Sequence, residues 1–127
     1  MMTKQIAIAV VEHEGCFLVG QRPPGVPLAG LWEFPGGKME PQETACEAAV
    51  RECREETELA VEAERTWLVQ EEDYPHGRVR LHFVACRLAM QEINPPKPPF
   101  RWVPRPELPS YQFPSGNRGL LDLLANR

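Results

Sequence analysis

The pattern of hydrophobic positions divides the first part of the chain into short extended segments. Apolar and β-branched residues predict strands over residues 4–12, 16–21 and 31–34. Glu14 and Gly15 favour a turn between the first two strands, and residues 22–30 are rich in proline and glycine, as loops are. Gly36 and Gly37 end the third strand, and we interpret them as a loop.

A helical period follows, and then the pattern becomes extended again. Apolar positions predict a helix over residues 42–57, with Pro41 in the place that suits a first-turn proline. The remaining elements are predicted strands over 60–72, 78–88 and 100–103, a turn at 74–77 and a final helix over 116–125. One helix within a series of strands and one at the end predict a sheet covered by helices on its faces. The 127 residues fit a single domain over 1–127.

The central helix has an apolar stripe and an acidic patch. On a helical wheel the stripe contains Ala45, Cys46, Ala49, Val50 and Cys53, and we expect it to face the core. Glu52, Glu55 and Glu56 lie beside it at spacings that make side chains neighbours. The wheel points Arg51 and Glu47 toward solvent, as a supportive i,i+4 ion pair.

Three clustered carboxylates near a helix C-terminus repel one another and oppose the helix dipole. A divalent cation such as Mg2+ removes this conflict, because it prefers hard oxygen ligands. The preceding Gly36-Gly37 pair would let a backbone carbonyl join these ligands. The alternative is a solvated acidic face without a role, since such faces are common on helices.

The segment from Gly37 to Leu59 resembles the Nudix box, G-x5-E-x7-R-E-U-x-E-E-x-G-U, in which U is a bulky apolar residue. The matching residues are Gly37, Glu43, Arg51, Glu52, Glu55, Glu56 and Leu59. The resemblance implies an α/β fold of the Nudix type, an α/β/α sandwich in which a mixed β-sheet has helices on both faces. Two positions depart from the pattern. Cys53 replaces the first bulky apolar residue, and Glu58 replaces the last glycine. We expect a strained helix end at Glu58 that costs about 1 kcal/mol, because glycine tolerates a positive φ better.

The resemblance extends to the MutT-type enzymes, which remove oxidised guanine nucleotides from the nucleotide pool. The segments that carry it are 31–38, Leu-Trp-Glu-Phe-Pro-Gly-Gly-Lys, and 113–117, Phe-Pro-Ser-Gly-Asn. It implies Mg2+, with Mn2+ as a substitute, held by Glu52, Glu55, Glu56 and the Gly36 carbonyl. It also implies that Glu52 serves either as a ligand or as the base for the attacking water. In this family Arg51 and Glu43 would orient the carboxylates.

The same resemblance assigns residues to the substrate. Arg22 and Lys38 would lie near the nucleotide and its phosphates, and Phe34 and Asn117 would contact the base. An asparagine amide can both donate and accept, which suits the O6 and N7-H edge of 8-oxoguanine. Phe34 also fits a core position and Asn117 a helix N-cap, so both alternatives stay open.

The resemblance leaves other parts of the site open. The MutT type often has a further glutamate before the last strand. That loop has Lys97 here, and the equivalence of Glu92 is doubtful, so the general base is open. Tyr74 and His76 could line the nucleotide pocket, although a solvated loop position also suits His76.

Composition limits the function classes. The net charge of -4 disfavours binding to a nucleic-acid backbone, which favours basic surfaces, but it permits a small nucleotide with its metal. Four cysteines without a C-x-x-C pair suggest reduced, buried thiols and a cytoplasmic protein. The apolar N-terminal run is too short to span a membrane.

We therefore expect a Mg2+-dependent pyrophosphohydrolase of nucleoside triphosphates, active as a monomer or homodimer and preferring oxidised guanine such as 8-oxo-dGTP. A Nudix hydrolase of another nucleoside diphosphate derivative is the alternative. A non-catalytic nucleotide-binding module is less consistent with an intact set of carboxylates.

Overall fold

The computed structural model describes residues 3–75, 77–90 and 95–126, and it contains a mixed sheet with a helix on each face. The strands are β1 (Lys4–His13), β2 (Cys16–Gln21), β3 (Trp32–Glu33), β4 (Gly36–Lys38), β5 (Val61–Tyr74), β6 (Gly77–Leu88) and β7 (Arg101–Pro104). The helices are α1 (Ala45–Thr57) and α2 (Arg118–Ala125), and short 3-10 helices span Arg105–Ser110 and Ser115–Asn117. The predicted class, a mixed sheet with helices on both faces, is confirmed.

β1 is the central strand, and its alternating side chains explain the layers. It pairs in parallel with β6, and the order along the main path is β3-β2-β1-β6-β5, with β4 on β1 and β7 on β2. Ala7 and Ala9 face α1, where Ala49 is also fully buried, so small side chains let the helix approach the sheet. Ile8 and Val10 face the opposite way, into the cluster that includes α2.

The start of α1 differs from the prediction. The helix begins at Ala45 rather than at residue 42, and Pro41 lies outside its first turn. The Thr44 side chain accepts a hydrogen bond from the Glu47 amide, and the Glu47 carboxylate accepts one from the Thr44 amide. This reciprocal capping box fixes the helix start, and it also explains why Glu47 is not the partner of Arg51.

The end of α1 agrees with the prediction of a strained cap. Glu58 has a φ of 65°, in the left-handed region that glycine adopts more easily. Thr57 is fully buried beneath it, and its hydroxyl donates to the Cys53 carbonyl at 2.7 Å. The buried positions of the helix are Ala48, Ala49, Cys53 and Thr57, while Ala45, Cys46 and Val50 are partly buried. The face of the helix that packs on the core therefore includes the predicted stripe and also Ala48.

Three further details correct the sequence-based boundaries. Gly36–Lys38 is a strand, β4, rather than a loop, because it pairs with β1. A 3-10 helix precedes α2, so α2 begins at Arg118 rather than at residue 116. Of the four free cysteines, Cys53 and Cys86 are buried and Cys16 and Cys46 are only partly buried.

In the described parts of the chain, no helix combines the length and the apolar character that crossing a membrane would require.

Candidate functional site

A cavity of about 320 Å³ opens on the α2 side of the sheet, and its size suits a small-molecule ligand. Strands β1 and β6 form its floor through Ile8 and Leu81. Gly36 and Gly37 border it on one side, and Asn117 lies at the start of α2. The cavity therefore connects the glycine pair to the turn before the last helix.

Arg51 is the centre of an ionic network behind the glycine pair. Its guanidinium donates two hydrogen bonds to Glu43, from Nε at 2.5 Å and from Nη2 at 2.8 Å. Nη1 donates to Glu52 at 2.8 Å and to Glu55 at 3.1 Å. Nη2 also donates to the Lys38 carbonyl at 3.1 Å, which connects the helix to β4. The prediction that Arg51 points toward solvent is thus wrong, because its long side chain turns back over the acidic patch.

The network stabilises Glu43 in its ionised form. The Arg51 hydrogen bonds, followed by the bond from the Glu40 amide, lower the pKa of Glu43 to about 2. Contact with Glu43 also raises the pKa of Arg51, so both groups stay charged at neutral pH. Arg51, which Glu43 also binds, thus forms charge-assisted hydrogen bonds to Glu52 and Glu55.

Glu56 lies in a different environment from its two neighbours. Its carboxylate accepts a hydrogen bond from the Gly36 amide at 2.8 Å. Burial raises its pKa to about 7, and the negative charges of Glu33 and Glu52 contribute further. The adjacent Gly37 packs directly on the Glu52 carboxylate, which a Cβ at that position would overlap. Gly37 thus lets β4 touch the Glu52 carboxylate, whereas a Cβ at Gly36 would meet Ala7 and Ile8 of β1.

The chemistry of these donors fits a divalent cation. Across residues 3–75, 77–90 and 95–126, no three acidic, histidine or cysteine side chains form a preassembled metal cluster. Glu52 and Glu55 are bonded to Arg51, and Glu56 is bonded to Gly36. Nevertheless, these are hard oxygen donors, and Glu56 is a half-buried carboxyl whose ionised form a nearby cation would favour.

The far end of the cavity contains the residues predicted to contact a base. Phe34 lines the cavity, is 3% exposed and stacks on Phe113 with ring centroids 5.2 Å apart. It is therefore both a core residue and a wall of the cavity. Asn117 also lines the cavity and is 7% exposed. It precedes α2, but its side chain makes no capping bond to the helix; it donates to the Pro114 carbonyl at 3.4 Å.

The two basic residues predicted near the substrate are placed differently. Arg22 lines the cavity, where it forms an ion pair with Glu33 at 2.7 Å and donates to the Pro27 carbonyl at 2.7 Å. These bonds hold the loop over residues 22–30. The side chain of Lys38 is exposed at the end of β4.

Glu33 lines the cavity, although no role was predicted for it from the sequence. The strand alternation around Phe34 was the one available indication, and the pairing with Arg22 is visible only in the structure. Tyr74, predicted as a pocket residue, does line the cavity. His76 and Glu92 lie outside the described residues.

Comparison with known proteins gives a family match over most of the chain. A family profile described as the NUDIX domain matches residues 6–123. The chain is 49% identical over 59 residues to the CTP pyrophosphohydrolase of Escherichia coli (strain K12), across 46% of this chain and 42% of that protein. It is 36% identical over 88 residues to the 8-oxo-dGTP diphosphatase of Proteus vulgaris, across 65% of this chain and 78% of that protein.

A solved structure extends the similarity to the whole fold. The DNA mismatch repair protein MutT of methicillin resistant Staphylococcus aureus 252 superimposes with a TM-score of 0.74 and 28% identity, across 98% of each chain. The alignment with the E. coli relative, by contrast, spans less than half of that protein's length. With the box residues gathered around Arg51, these similarities show that the chain belongs to the Nudix family and is a Nudix hydrolase of the MutT type.

Proposed function

We propose that the chain is a Mg2+-dependent pyrophosphohydrolase of nucleoside triphosphates that prefers an oxidised guanine nucleotide such as 8-oxo-dGTP. The observation that carries the proposal is the single cavity that joins the Gly36-Gly37 pair to Asn117. A nucleotide fits such an arrangement. Its phosphates need positive charge for neutralisation, and its base needs polar protein groups that hydrogen-bond to the edge of the ring. The relative from Proteus vulgaris, an 8-oxo-dGTP diphosphatase, supports the same assignment.

At the phosphate end, Glu52, Glu55, Glu56 and the Gly36 carbonyl would hold Mg2+, with Mn2+ as a substitute. When bound, the metal would supply positive charge that neutralises the phosphate oxygens. Arg51 and Glu43 keep the carboxylates in place, and Glu52 is positioned either as a ligand or as the base for the attacking water. Water then attacks the β-phosphorus and the bond from this phosphorus to the α,β-bridging oxygen breaks. The nucleoside monophosphate leaves with that oxygen, and the β- and γ-phosphates leave as pyrophosphate.

At the base end, Asn117 and Phe34 provide recognition. The Asn117 amide can accept from N7-H and donate to O6 of 8-oxoguanine, whereas unmodified guanine has an acceptor at N7. Arg22 would contact the nucleotide from the loop, and Lys38 would lie near the phosphates.

The chemical part is tested by Glu52→Gln, with Glu47→Gln as the matched control. Both substitutions remove one negative charge from α1, but Gln at position 47 preserves the capping box and lies outside the Arg51 network. We expect Glu52→Gln to lower pyrophosphate release at saturating Mg2+ by at least 100-fold, while Glu47→Gln stays within about twofold. Equal activity of the two variants would contradict the assigned role of Glu52.

A pyrimidine triphosphate is the second candidate substrate, because the E. coli relative is a CTP pyrophosphohydrolase. Asn117→Ala separates the two. If Asn117 reads oxidised guanine, the variant loses the preference for 8-oxo-dGTP over dGTP and retains its CTP activity. Equal losses on all three nucleotides would count against base reading by Asn117.

A further inference from the structure

Tyr74 connects the end of β5 to the turn that precedes α2. The Gly116 amide donates a hydrogen bond to the Tyr74 hydroxyl at 3.3 Å, across 42 positions of the sequence. The same hydroxyl also hydrogen-bonds to the Ser115 side chain. Two successive residues of the 3-10 helix at Ser115–Asn117 are therefore joined to one side chain of the sheet.

Gly116 allows this contact because it has no side chain. A Cβ at Gly116 would lie 2.7 Å from the Tyr74 hydroxyl and 2.8 Å from Cδ1 of Leu81. Both distances are shorter than real Cβ contacts, and Gly116 is buried. The turn thus rests directly on the tyrosine and on the floor of the cavity.

Asn117 is the next residue, and the two hydrogen bonds that it donates to Pro114 stay within its own turn. Its backbone amide donates to the Pro114 carbonyl at 3.0 Å, and its side-chain amide donates to the same carbonyl at 3.4 Å. Both bonds stay within the turn, so they move with it. The bond between Gly116 and Tyr74, in contrast, connects the turn to β5.

We propose that Tyr74 is a positioning residue that sets the place of Asn117 in the cavity, through Gly116, and thereby determines how strictly the base is read. The inference rests on the proposed function, in which Asn117 contacts the base. Tyr74 itself lines the cavity, so its ring also borders the volume that a base would occupy.

The test compares Tyr74→Phe with Tyr111→Phe, a matched control because these are the two tyrosines of the chain. The Tyr111 hydroxyl accepts a hydrogen bond from Arg101 at 3.0 Å and has no contact with the Ser115–Asn117 turn among the described bonds. We expect Tyr74→Phe to reduce the preference for 8-oxo-dGTP over dGTP by roughly three- to tenfold, the range of one neutral hydrogen bond. The loss should appear in KM, with kcat nearly unchanged, and Tyr111→Phe should leave the preference as it is.

A double variant connects the effect to Asn117. If Tyr74 acts through Asn117, Tyr74→Phe should add no further loss of preference to Asn117→Ala. Independent addition of the two losses, or an equal loss on every nucleotide in Tyr74→Phe, would overturn the proposal.

An NMR measurement keeps this result separate from the proposed function. If the nucleotide preferences of wild type and Asn117→Ala show that Asn117 does not recognise the base, the proposed function is wrong. The effect of Tyr74 on the position of Asn117 can still be tested without substrate. The side-chain amide resonances of Asn117 should then shift in Tyr74→Phe and not in Tyr111→Phe. Unchanged resonances in both variants would refute the positioning role.

Discussion

Gly37→Ala is the substitution whose effect follows most directly from the geometry of the site. A Cβ at this position would lie 2.5 Å from Cδ and 2.8 Å from Oε1 of Glu52. Oε2 of Glu52 would lie closer still, so the carboxylate must withdraw by roughly 1 Å to regain ordinary contact at about 3.4 Å. Arg51 holds that carboxylate at 2.8 Å, so the displacement also disturbs the network around Glu43. Since misplacement of a reacting group by about 1 Å can cost about 100-fold in rate, we expect kcat to fall by roughly 10- to 100-fold.

Pyrophosphate release at saturating nucleotide and Mg2+ measures this loss, and the thermal midpoint shows whether the fold persists. The midpoint should change little, because the group that must move is the far end of a side chain rather than backbone. Gly119→Ala in α2 is the control, since its nearest contact is a leucine methyl at 3.2 Å. If Gly37→Ala retained full kcat, the contact between β4 and Glu52 would have no bearing on catalysis and the reasoning would fail.

Three further predictions concern the network, the helix end and pH. Arg51→Lys keeps the charge but loses the planar guanidinium whose two N–H groups bind Glu43. We expect kcat to fall at least tenfold while the far-UV circular dichroism spectrum stays unchanged. Full activity would contradict the orienting role of Arg51. Glu58→Gly removes the steric cost of the positive φ, so urea denaturation should show that the free energy of unfolding rises by up to about 1 kcal/mol. An unchanged free energy of unfolding would argue against strain at this helix end. Burial, together with Arg80, lowers the pKa of His82, so the unfolded chain takes up a proton more readily and stability should fall as pH drops below about 6.5. The urea midpoint should therefore decrease more between pH 8 and pH 5.5 in wild type than in His82→Gln, and identical decreases would contradict the assignment.

The acidic cluster could be predicted from the sequence because it depends on local spacing. Residues 52, 55 and 56 are neighbours on any α-helix, and the glycine pair and Glu43 occupy fixed positions before it. The strained end at Glu58 was predictable for the same reason, since it depends on one residue type at one helix position.

The predictions for Arg51 and for the Gly36-Gly37 pair were wrong because both features depend on contacts between segments that are distant in the sequence. The helical wheel describes only where a side chain leaves the helix, so it could not show that Arg51 turns back to Glu43 and to the Lys38 carbonyl. Glycine has a weak tendency to form strands, and β4 exists because Gly36 and Gly37 pair with β1.

The base end of the site was the least predictable part. The contact between Tyr74 and Gly116 joins distant segments, and neither residue type indicates it. The Arg22–Glu33 ion pair likewise depends on how the loop over residues 22–30 folds against β3.

The most direct test of the account is kcat/KM of the wild-type chain with Mg2+ for 8-oxo-dGTP, dGTP, CTP and ADP-ribose, with pyrophosphate and phosphate release measured separately. We expect 8-oxo-dGTP to be preferred over dGTP by at least tenfold, with pyrophosphate as the product. Equal rates on the two guanine nucleotides, or a higher rate on CTP, would contradict the assignment of oxidised guanine and leave the Nudix chemistry in place.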